Sequence, residues 1–195
     1  KIVNQTLRPA LQRLGYSVVT LERKGEVAGL ESPTLVEQFT ELLDIYAAAR
    51  QSERFGRHSR ACQIFGEIEG YLRTFQPVTA RPSLLVKASP GRGNWATIPW
   101  IAIMDARVTK STQEGLYAVY LFREDMSGVY LTLAQGVTRL IKEHGRPAAH
   151  RRLAEVAQEL RPRSSRLKLK GFSLDSEIRL TGTGGLGEDY VRSCV

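Results

Sequence analysis

The stretch GRGNWATIPWIAIM, residues 91–104, places an arginine, an asparagine and two tryptophans around the start of an apolar segment. Glycines at 91 and 93 let the backbone come close to a ligand, and the side chains of Arg92 and Asn94 can reach phosphates or base edges. Strand alternation puts Trp100 on one face and Ile101 on the other. The aromatic face could line a slot for a planar ligand, or it could fill a core, as aromatics in adjacent strands usually do.

Catalytic chemistry has little support in the sequence. The run GTGGLG at 182–187 matches G-x-G-x-x-G, but only eight residues follow it and no βαβ unit surrounds it. The carboxylate pairs Glu67/Glu69 and Glu124/Asp125 are too close in sequence to converge on one point. Two cysteines and three histidines show no metal-ligand spacing. We therefore expect recognition, with no catalytic residue, metal or cofactor. A hydrolase built from scattered carboxylates is the alternative from another class.

The charge indicates a polyanionic partner. The chain has 28 Lys plus Arg against 20 Asp plus Glu, a net charge of +8, and 21 of the basic residues are arginines. Residues 139–170 hold ten basic and three acidic residues, so this stretch alone carries 10 − 3 = +7. Arg151 and Arg152 lie in the first turns of a helix predicted to begin near Pro147, where the helix dipole disfavours cations and a phosphate would compensate. A solvated basic surface is the simpler alternative.

Hydrophobic periodicity predicts the elements that position these residues. Helical spacing covers TLRPALQRLG, the segment from Ser32-Pro33 to Tyr46, and residues from about His58 to Phe75. Ser32 is the predicted N-cap of the second of these helices, with Pro33 at its first helical position. Four strands follow at 83–88, 98–104, 115–122 and 128–134, then helices at 137–144 and from Pro147 to about Leu160, with weak strand signals at RLKLKGF and EIRLT. Strands this close together predict an α+β fold with a curved antiparallel or mixed sheet flanked by helices, and a helical N-terminal third.

Length and hydropathy limit the remaining classes. A chain of 195 residues with 42% apolar residues can build one core. We divide the chain into an N-terminal helical extension, residues 1–30, and a domain at 31–195. No apolar run approaches the roughly 20 residues of a membrane span, and no secretory signal is present. We expect a soluble cytoplasmic protein without membrane contact. Because the chain starts at Lys1 and stops at Val195, we expect a fragment of a longer polypeptide.

Residues 91–138 carry a family resemblance. The motifs G-x-G-N-[WF]-x-x-[IV]-P-W, S-x-Q-x-G-[IL]-Y-x-V-[YI]-L and Q-G-[VI] occur there in order. In these motifs the chain resembles the McrB-like N-terminal domain of modification-dependent (type IV) restriction systems, over about residues 35–139. The resemblance implies a bacterial or archaeal phage-defence protein. It also implies that this chain binds duplex DNA with methylated or similarly modified cytosine and flips that base into a pocket. A downstream AAA+ GTPase motor and a separate nuclease subunit then cut the DNA.

The resemblance also implies roles for individual residues. Trp100 would be a pocket wall with Leu121 beside it, and Arg92 stands where the best-known relative has a pocket tyrosine. Tyr117 shares the face of Leu121 by alternation, and Tyr190 is the nearest counterpart of a further family tyrosine. Three segments match the family's DNA-facing loops, and with the basic helix they complete the predicted DNA contacts: Arg92, Gly93, Asn94, Trp95, Ser111, Thr112, Gln113, Thr138, Arg139, Arg151 and Arg152. Two alternatives stay open, namely a sequence-specific reader of unmodified DNA and a protein-interaction module of a defence complex.

Overall fold

The computed structural model describes residues 33–175, 177–180 and 185–195, so the predicted extension at 1–30 lies outside the described residues. The described residues contain four strands: β1 (Leu84–Gly91), β2 (Trp95–Asp105), β3 (Leu116–Phe122) and β4 (Val129–Gln135). The helices are α1 (Leu35–Ser52), α2 (Arg60–Thr74), α3 (Gln76–Thr79), α4 (Thr138–His144), α5 (Arg146–Arg163), α6 (Ser165–Lys168) and α7 (Leu186–Ser193).

The sheet has the order β1-β2-β3-β4 with every neighbouring pair antiparallel. Each strand falls where period-2 alternation predicts one, and short connections join consecutive strands, as antiparallel pairing allows. The α+β prediction is therefore confirmed, and of its two alternatives the sheet is antiparallel. The pairing of β1 with β2 shifts register between Ser89 and Gly91. This bulge lies beside the turn that carries Arg92.

Helices α1 and α2 cover one face of the sheet, which we call the helix-covered face. Phe39, Leu42 and Tyr46 of α1 are buried at helical spacing together with Ile64 and Ile68 of α2. They pack against strand residues that include Val86, Ile101 and Phe122. Burying side chains of this size contributes about 1.5–3 kcal/mol each, so this layer supplies a large part of the core.

Helix α1 begins at a capping box. The Thr34 hydroxyl accepts a hydrogen bond from the Glu37 amide at 3.2 Å, and the Glu37 carboxylate accepts one from the Thr34 amide at 2.8 Å. The predicted N-cap at Ser32 is therefore wrong. Thr34 and Glu37 satisfy two free amides of the first turn, which Ser32 followed by Pro33 could not do from two residues upstream.

The opposite face of the sheet is covered by the end of the chain, and we call it the tail-covered face. Leu180, Cys194 and residues of α7 pack there against Ile98 and Ala102 of β2. Cys194 forms a bridge with Ala134, and the Val195 amide donates to the Leu133 carbonyl at 2.9 Å. The tail therefore occupies part of the free edge of β4.

Two weak strand predictions in the tail are wrong. The segment RLKLKGF forms α6 and a turn, and residues 177–180 of EIRLT have no strand structure. A strand needs a partner edge, and within the described residues neither segment pairs with β1 or β4; on β4 the positions beside Leu133 and Ala134 are taken by Val195 and Cys194. Helix α7 was not predicted, because eight residues behind a glycine-rich segment give a weak periodic signal.

Candidate nucleic-acid interface

Trp100 and Leu121 are cross-strand partners near the middle of the sheet. Ser89 lies opposite Trp100 in β1, and Tyr130 lies opposite Leu121 in β4. Partners of this kind project from the same face with Cβ atoms about 4.5–5.5 Å apart. Leu121 is buried, whereas Trp100 and Tyr130 are partly exposed. The structure therefore brings the two predicted pocket residues together in one row.

Tyr190 and Tyr117 join this row from α7 and from the start of β3. The rings of Trp100 and Tyr190 both pack against the buried residues of the tail-covered face, and the Tyr117 hydroxyl donates to the Thr112 carbonyl at 2.8 Å. We call the group formed by Trp100, Tyr117, Leu121, Tyr130 and Tyr190 the Trp100 cluster. Burial raises the pKa of both Tyr117 and Tyr190, and in Tyr190 the contact with Trp100 opposes that rise. Both hydroxyls are therefore protonated donors near neutral pH.

Asp189 fixes the helix that carries Tyr190. Its side chain is only 3% exposed, and both oxygens accept hydrogen bonds from Arg146, at 2.9 and 3.0 Å. The ring Nε2 of His150 lies 2.8 Å from the same carboxylate. Burial raises the pKa of Asp189, but the hydrogen bonds from Arg146 and His150 outweigh it and the net pKa is lowered. A charged, doubly bound carboxylate therefore attaches α7 to the start of α5.

Sequence reasoning missed Tyr130 and the Asp189 contacts. Alternation within VYLTLAQ places Tyr130, Thr132 and Ala134 on one face, so the signal for Tyr130 was present in the strand itself. Asp189 had no such signal, because its partners Arg146 and His150 lie about forty residues upstream. Only the folded chain brings them together.

Two open surface cavities lie away from the Trp100 cluster, with volumes of about 550 and 830 Å³. The first is lined by Leu116, Leu140, Val156 and neighbouring residues, and the second follows the edge of β1. Neither is lined by Trp100, Leu121, Tyr117 or Tyr190. The surface that the cluster offers to a ligand is therefore the partly exposed portion of its aromatic rings.

The turn between β1 and β2 exposes Arg92, Gly93 and Asn94. Gly91 has φ 151°, and a Cβ there would lie 2.0 Å from the Asn94 carbonyl oxygen, so this tight turn requires glycine. Arg92 lies three residues beyond Ser89 along β1, about 10 Å at the rise of extended chain. The structure places the Arg92 side chain at the turn, beyond the row of Trp100, and its role in the pocket stays a prediction.

The two tryptophans lie on opposite faces of the sheet. Trp95 packs in the cluster of the helix-covered face, with its ring centroid 5.2 Å from that of Tyr46 and 5.4 Å from that of Phe55. Trp100 lies on the tail-covered face. Trp95 therefore supports the turn from the side of α1, whereas Trp100 belongs to the candidate recognition face.

The loop with Ser111, Thr112 and Gln113 lies at the other end of the sheet from Arg92. Its shape depends on Gly136, since a Cβ there would meet the Glu114 amide nitrogen at 2.1 Å. The Gly136 amide donates to the Gly115 carbonyl at 2.8 Å, and the Arg139 amide donates to the Gln113 carbonyl at 3.1 Å. These contacts join the Q-x-G segment of the loop to the Q-G segment at the end of β4.

Arg139, at the end of the sheet that carries the loop with Ser111, Thr112 and Gln113, is already neutralised by carboxylates. Arg139 binds the Glu114 carboxylate and also that of Glu143, the latter at 2.7 Å, while Thr138 is exposed as the first residue of α4. A DNA phosphate would have to compete with two carboxylates for Arg139. The two groups of predicted DNA-facing loops thus differ in the availability of their arginines.

Helix α5 presents Arg151 and Arg152 to solvent. Arg152 lies 3.2 Å from Glu155, and Arg151 forms no ion pair with any other described residue. The basic residues that precede them are compensated from α7, since Arg146 and His150 both bind Asp189. The unfavourable interaction of these basic residues with the dipole of α5 is therefore partly offset by the Asp189 carboxylate.

The paired carboxylates have structural partners. Glu67 binds Arg60 at 2.5 Å, and Glu69 accepts the Ala88 amide of β1 at 2.7 Å. Asp125 accepts the Ser127 amide at 3.0 Å within its turn. In the described ranges no three His, Cys, Asp or Glu residues cluster as metal ligands. These contacts leave no carboxylate pair of the sequence poised around a common ligand.

These features define a class, an α+β domain that presents aromatic rings on one sheet face and exposed arginines on adjacent loops. No helix in the part of the chain that the structure describes has the length and apolar character to cross a bilayer. The chain belongs to the family described as MrcB-like, N-terminal domain, whose family model matches residues 41–195. This match confirms the resemblance found in the sequence motifs. No curated protein and no solved structure gave a significant match.

Proposed function

We propose that this chain is the DNA-binding specificity domain of a modification-dependent restriction system and that it recognises methylated or similarly modified cytosine in duplex DNA. The observation that carries the proposal is that Trp100, Tyr117 and Tyr190 pack against the same buried cluster on one sheet face, in a chain of this family. The proposed domain spans residues 31–195 and needs no cofactor. It acts in the bacterial or archaeal cytoplasm with a downstream AAA+ GTPase motor and a separate nuclease subunit.

Base flipping gives the Trp100 cluster a chemical role. Unstacking a base costs a few kcal/mol, which stacking on aromatic side chains and hydrogen bonds to the base edge can recover. The flipped base would first meet the partly exposed rings of Trp100 and Tyr190, because Leu121 is only 4% exposed. A methyl-sized substituent adds about 0.8 kcal/mol of apolar contact, so discrimination by the methyl group alone is modest.

Affinity would come mainly from the phosphate backbone. Arg92 and Arg151 are exposed on different elements, and neither forms an ion pair with another described residue. Phosphate contacts position a protein on the duplex without reading sequence, and they make binding strongly dependent on salt. In this proposal the arginines bind the DNA phosphate backbone, and the aromatic rings contact the flipped base.

A second candidate function is the reading of unmodified DNA by sequence. The burial of Leu121, together with the position of the two surface cavities away from the Trp100 cluster, favours it. In that case the cluster is filled by its own side chains, and base edges are read in the major groove by residues such as Arg92 and Asn94. Both candidates require salt-dependent DNA binding.

A titration with matched duplexes tests the proposal. The chain is titrated with one duplex in unmodified form and in forms with a single modified cytosine, without divalent metal. We expect tighter binding to a modified form and intact DNA after incubation. If the chain binds the modified and unmodified forms of a duplex equally but prefers one base sequence over others, the result would support the second candidate. Absence of binding at low salt would contradict both and favour a protein-interaction module, whereas metal-dependent cutting would support the hydrolase alternative.

A further inference from the structure

The loop between α1 and α2 lies against the β1–β2 turn. The Trp95 indole Nε1–H donates to the Glu53 carbonyl at 2.9 Å, and the Phe55 and Trp95 rings meet edge to face with centroids 5.4 Å apart. The loop at 53–59 is therefore joined to the strand residue that directly follows the turn of Arg92, although about forty residues separate loop and turn in the sequence.

Helix α1 holds the turn from the same side. The Tyr46 hydroxyl lies 2.7 Å from the Pro90 carbonyl oxygen and 2.8 Å from that of Ala96. The Arg50 guanidinium donates to the Thr97 carbonyl at 3.2 Å. These bonds join α1 to both strands of the turn, so the loop that follows α1 and the turn of Arg92 form one supported surface.

This surface carries three available cations. Arg54 and Arg57 of the loop and Arg92 of the turn are all exposed. None of the three forms an ion pair with another described residue. The loop contains a single carboxylate, Glu53. At the opposite end of the sheet, by contrast, Arg139 is held by two carboxylates and Arg107 by Asp105.

We propose that Arg54 and Arg57 extend the surface of Arg92 into a phosphate-binding site for duplex DNA. The inference rests on the proposed function and adds residues to it. Unpaired guanidinium groups on neighbouring loops match the phosphates of a duplex, and each neutralised phosphate releases condensed counterions. The Trp95 contacts keep the loop in place beside the turn, so its two arginines and Arg92 act on the same stretch of backbone.

The test compares R54A/R57A with R54K/R57K in the full chain. Affinity for modified and unmodified duplexes is measured at several salt concentrations between 50 and 200 mM, with thermal unfolding as the check on folding. For R54A/R57A we expect a loss of about 10- to 60-fold at 0.1 M salt on both duplexes and a salt slope smaller by about 2. The preference for modified DNA should not change, because these residues contact only phosphates.

R54K/R57K keeps both charges and should keep most of the slope. Arg107→Ala removes an exposed arginine that is paired with Asp105, and it should bind like the wild type. A wild-type chain that binds DNA while R54A/R57A shows the same affinity and slope would overturn this inference and leave the proposed function standing. A selective loss on modified DNA would also overturn it, since it would assign these arginines to base recognition. Failure of the wild type to bind any duplex would overturn both.

Discussion

Trp100 and Tyr190 are 90 positions apart in the sequence, yet both pack against the same buried cluster on the tail-covered face of the sheet. One residue belongs to the second strand and the other to the last helix. The tail of the chain is therefore a structural part of the candidate recognition face. Any change that displaces α7 should alter the surroundings of Trp100.

Replacement of Tyr190 tests its place in the base-binding group. Tyr190→Ala should lower the preference for modified over unmodified DNA several-fold, because it removes one of the rings on which the flipped base would stack. Tyr190→Phe keeps the ring and should keep more of the preference than Tyr190→Ala. Equilibrium titration of both duplexes gives the ratio of affinities.

Tyr71→Ala is the matched control for Tyr190→Ala. Tyr71 is 43% exposed on α2, away from the tail-covered face, and its removal should leave both affinities unchanged. A folded Tyr190→Ala protein with undiminished preference would remove Tyr190 from the pocket.

The Asp189 carboxylate should stabilise the fold through α7. Asp189→Asn removes the charge that Arg146 and His150 bind, and hydrogen bonds to charged groups contribute about 1.5–3 kcal/mol. We expect a loss of that order in the free energy of unfolding at pH 7, measured by urea denaturation. Asp44→Asn, at an exposed position of α1, should change little.

The effect of Asp189→Asn should depend on pH. Because the native pKa of Asp189 is lowered, its contribution is fully present above the unfolded-state pKa of about 3.9 and is lost as the pH falls through the native pKa. The difference in stability between wild type and variant should therefore shrink as the pH falls below about 3.9. A difference that stays undiminished in that acidic range would contradict the assignment.

Gly136 should not tolerate a side chain. In Gly136→Ala the added Cβ would meet backbone atoms of Glu114 at 2.1 and 2.2 Å, so the 111–115 loop or the end of β4 must move. We expect a loss of about 1–3 kcal/mol in the free energy of unfolding, the usual cost of overpacking.

Gly66→Ala provides the opposite control for Gly136→Ala. Gly66 lies within α2 with nothing near its Cβ position, and alanine should stabilise the helix by about 0.5–1 kcal/mol. Thermal unfolding curves of the two variants should therefore shift in opposite directions, and an unshifted Gly136→Ala curve would show that the loop is not held in this way.

Arg151 should contribute to affinity without contributing to specificity. Arg151→Ala should weaken binding to modified and unmodified duplexes equally and reduce the salt slope by about 1, the effect of one lost phosphate contact. Arg151→Lys keeps the charge and should retain most of the slope. Unchanged binding by Arg151→Ala would make Arg151 part of a solvated helix surface.

The strands could be predicted, because alternation and turn residues are local signals, whereas the adjacency of Trp100 and Leu121 was implied only by the family resemblance. The position of α7 could not be predicted, since contacts such as Asp189 with Arg146 depend on tertiary packing. The start of α1 is readable from the sequence, because Thr34 and Glu37 have the spacing of a capping box. The grouping of Arg54 with Arg92 likewise appears only when the Trp95 contacts are known.

The most direct test of the account is the ratio of affinities for modified and unmodified duplexes in Trp100→Ala and Trp100→Phe, measured beside thermal unfolding. If Trp100 contacts the flipped base, folded Trp100→Ala should lose most of the preference and keep its salt-dependent binding to unmodified DNA. Trp100→Phe retains an aromatic face and should lose less of the preference, and it gives the answer should the alanine variant unfold. Folded variants that discriminate as well as the wild type would contradict the assignment of Trp100 to modified-base recognition.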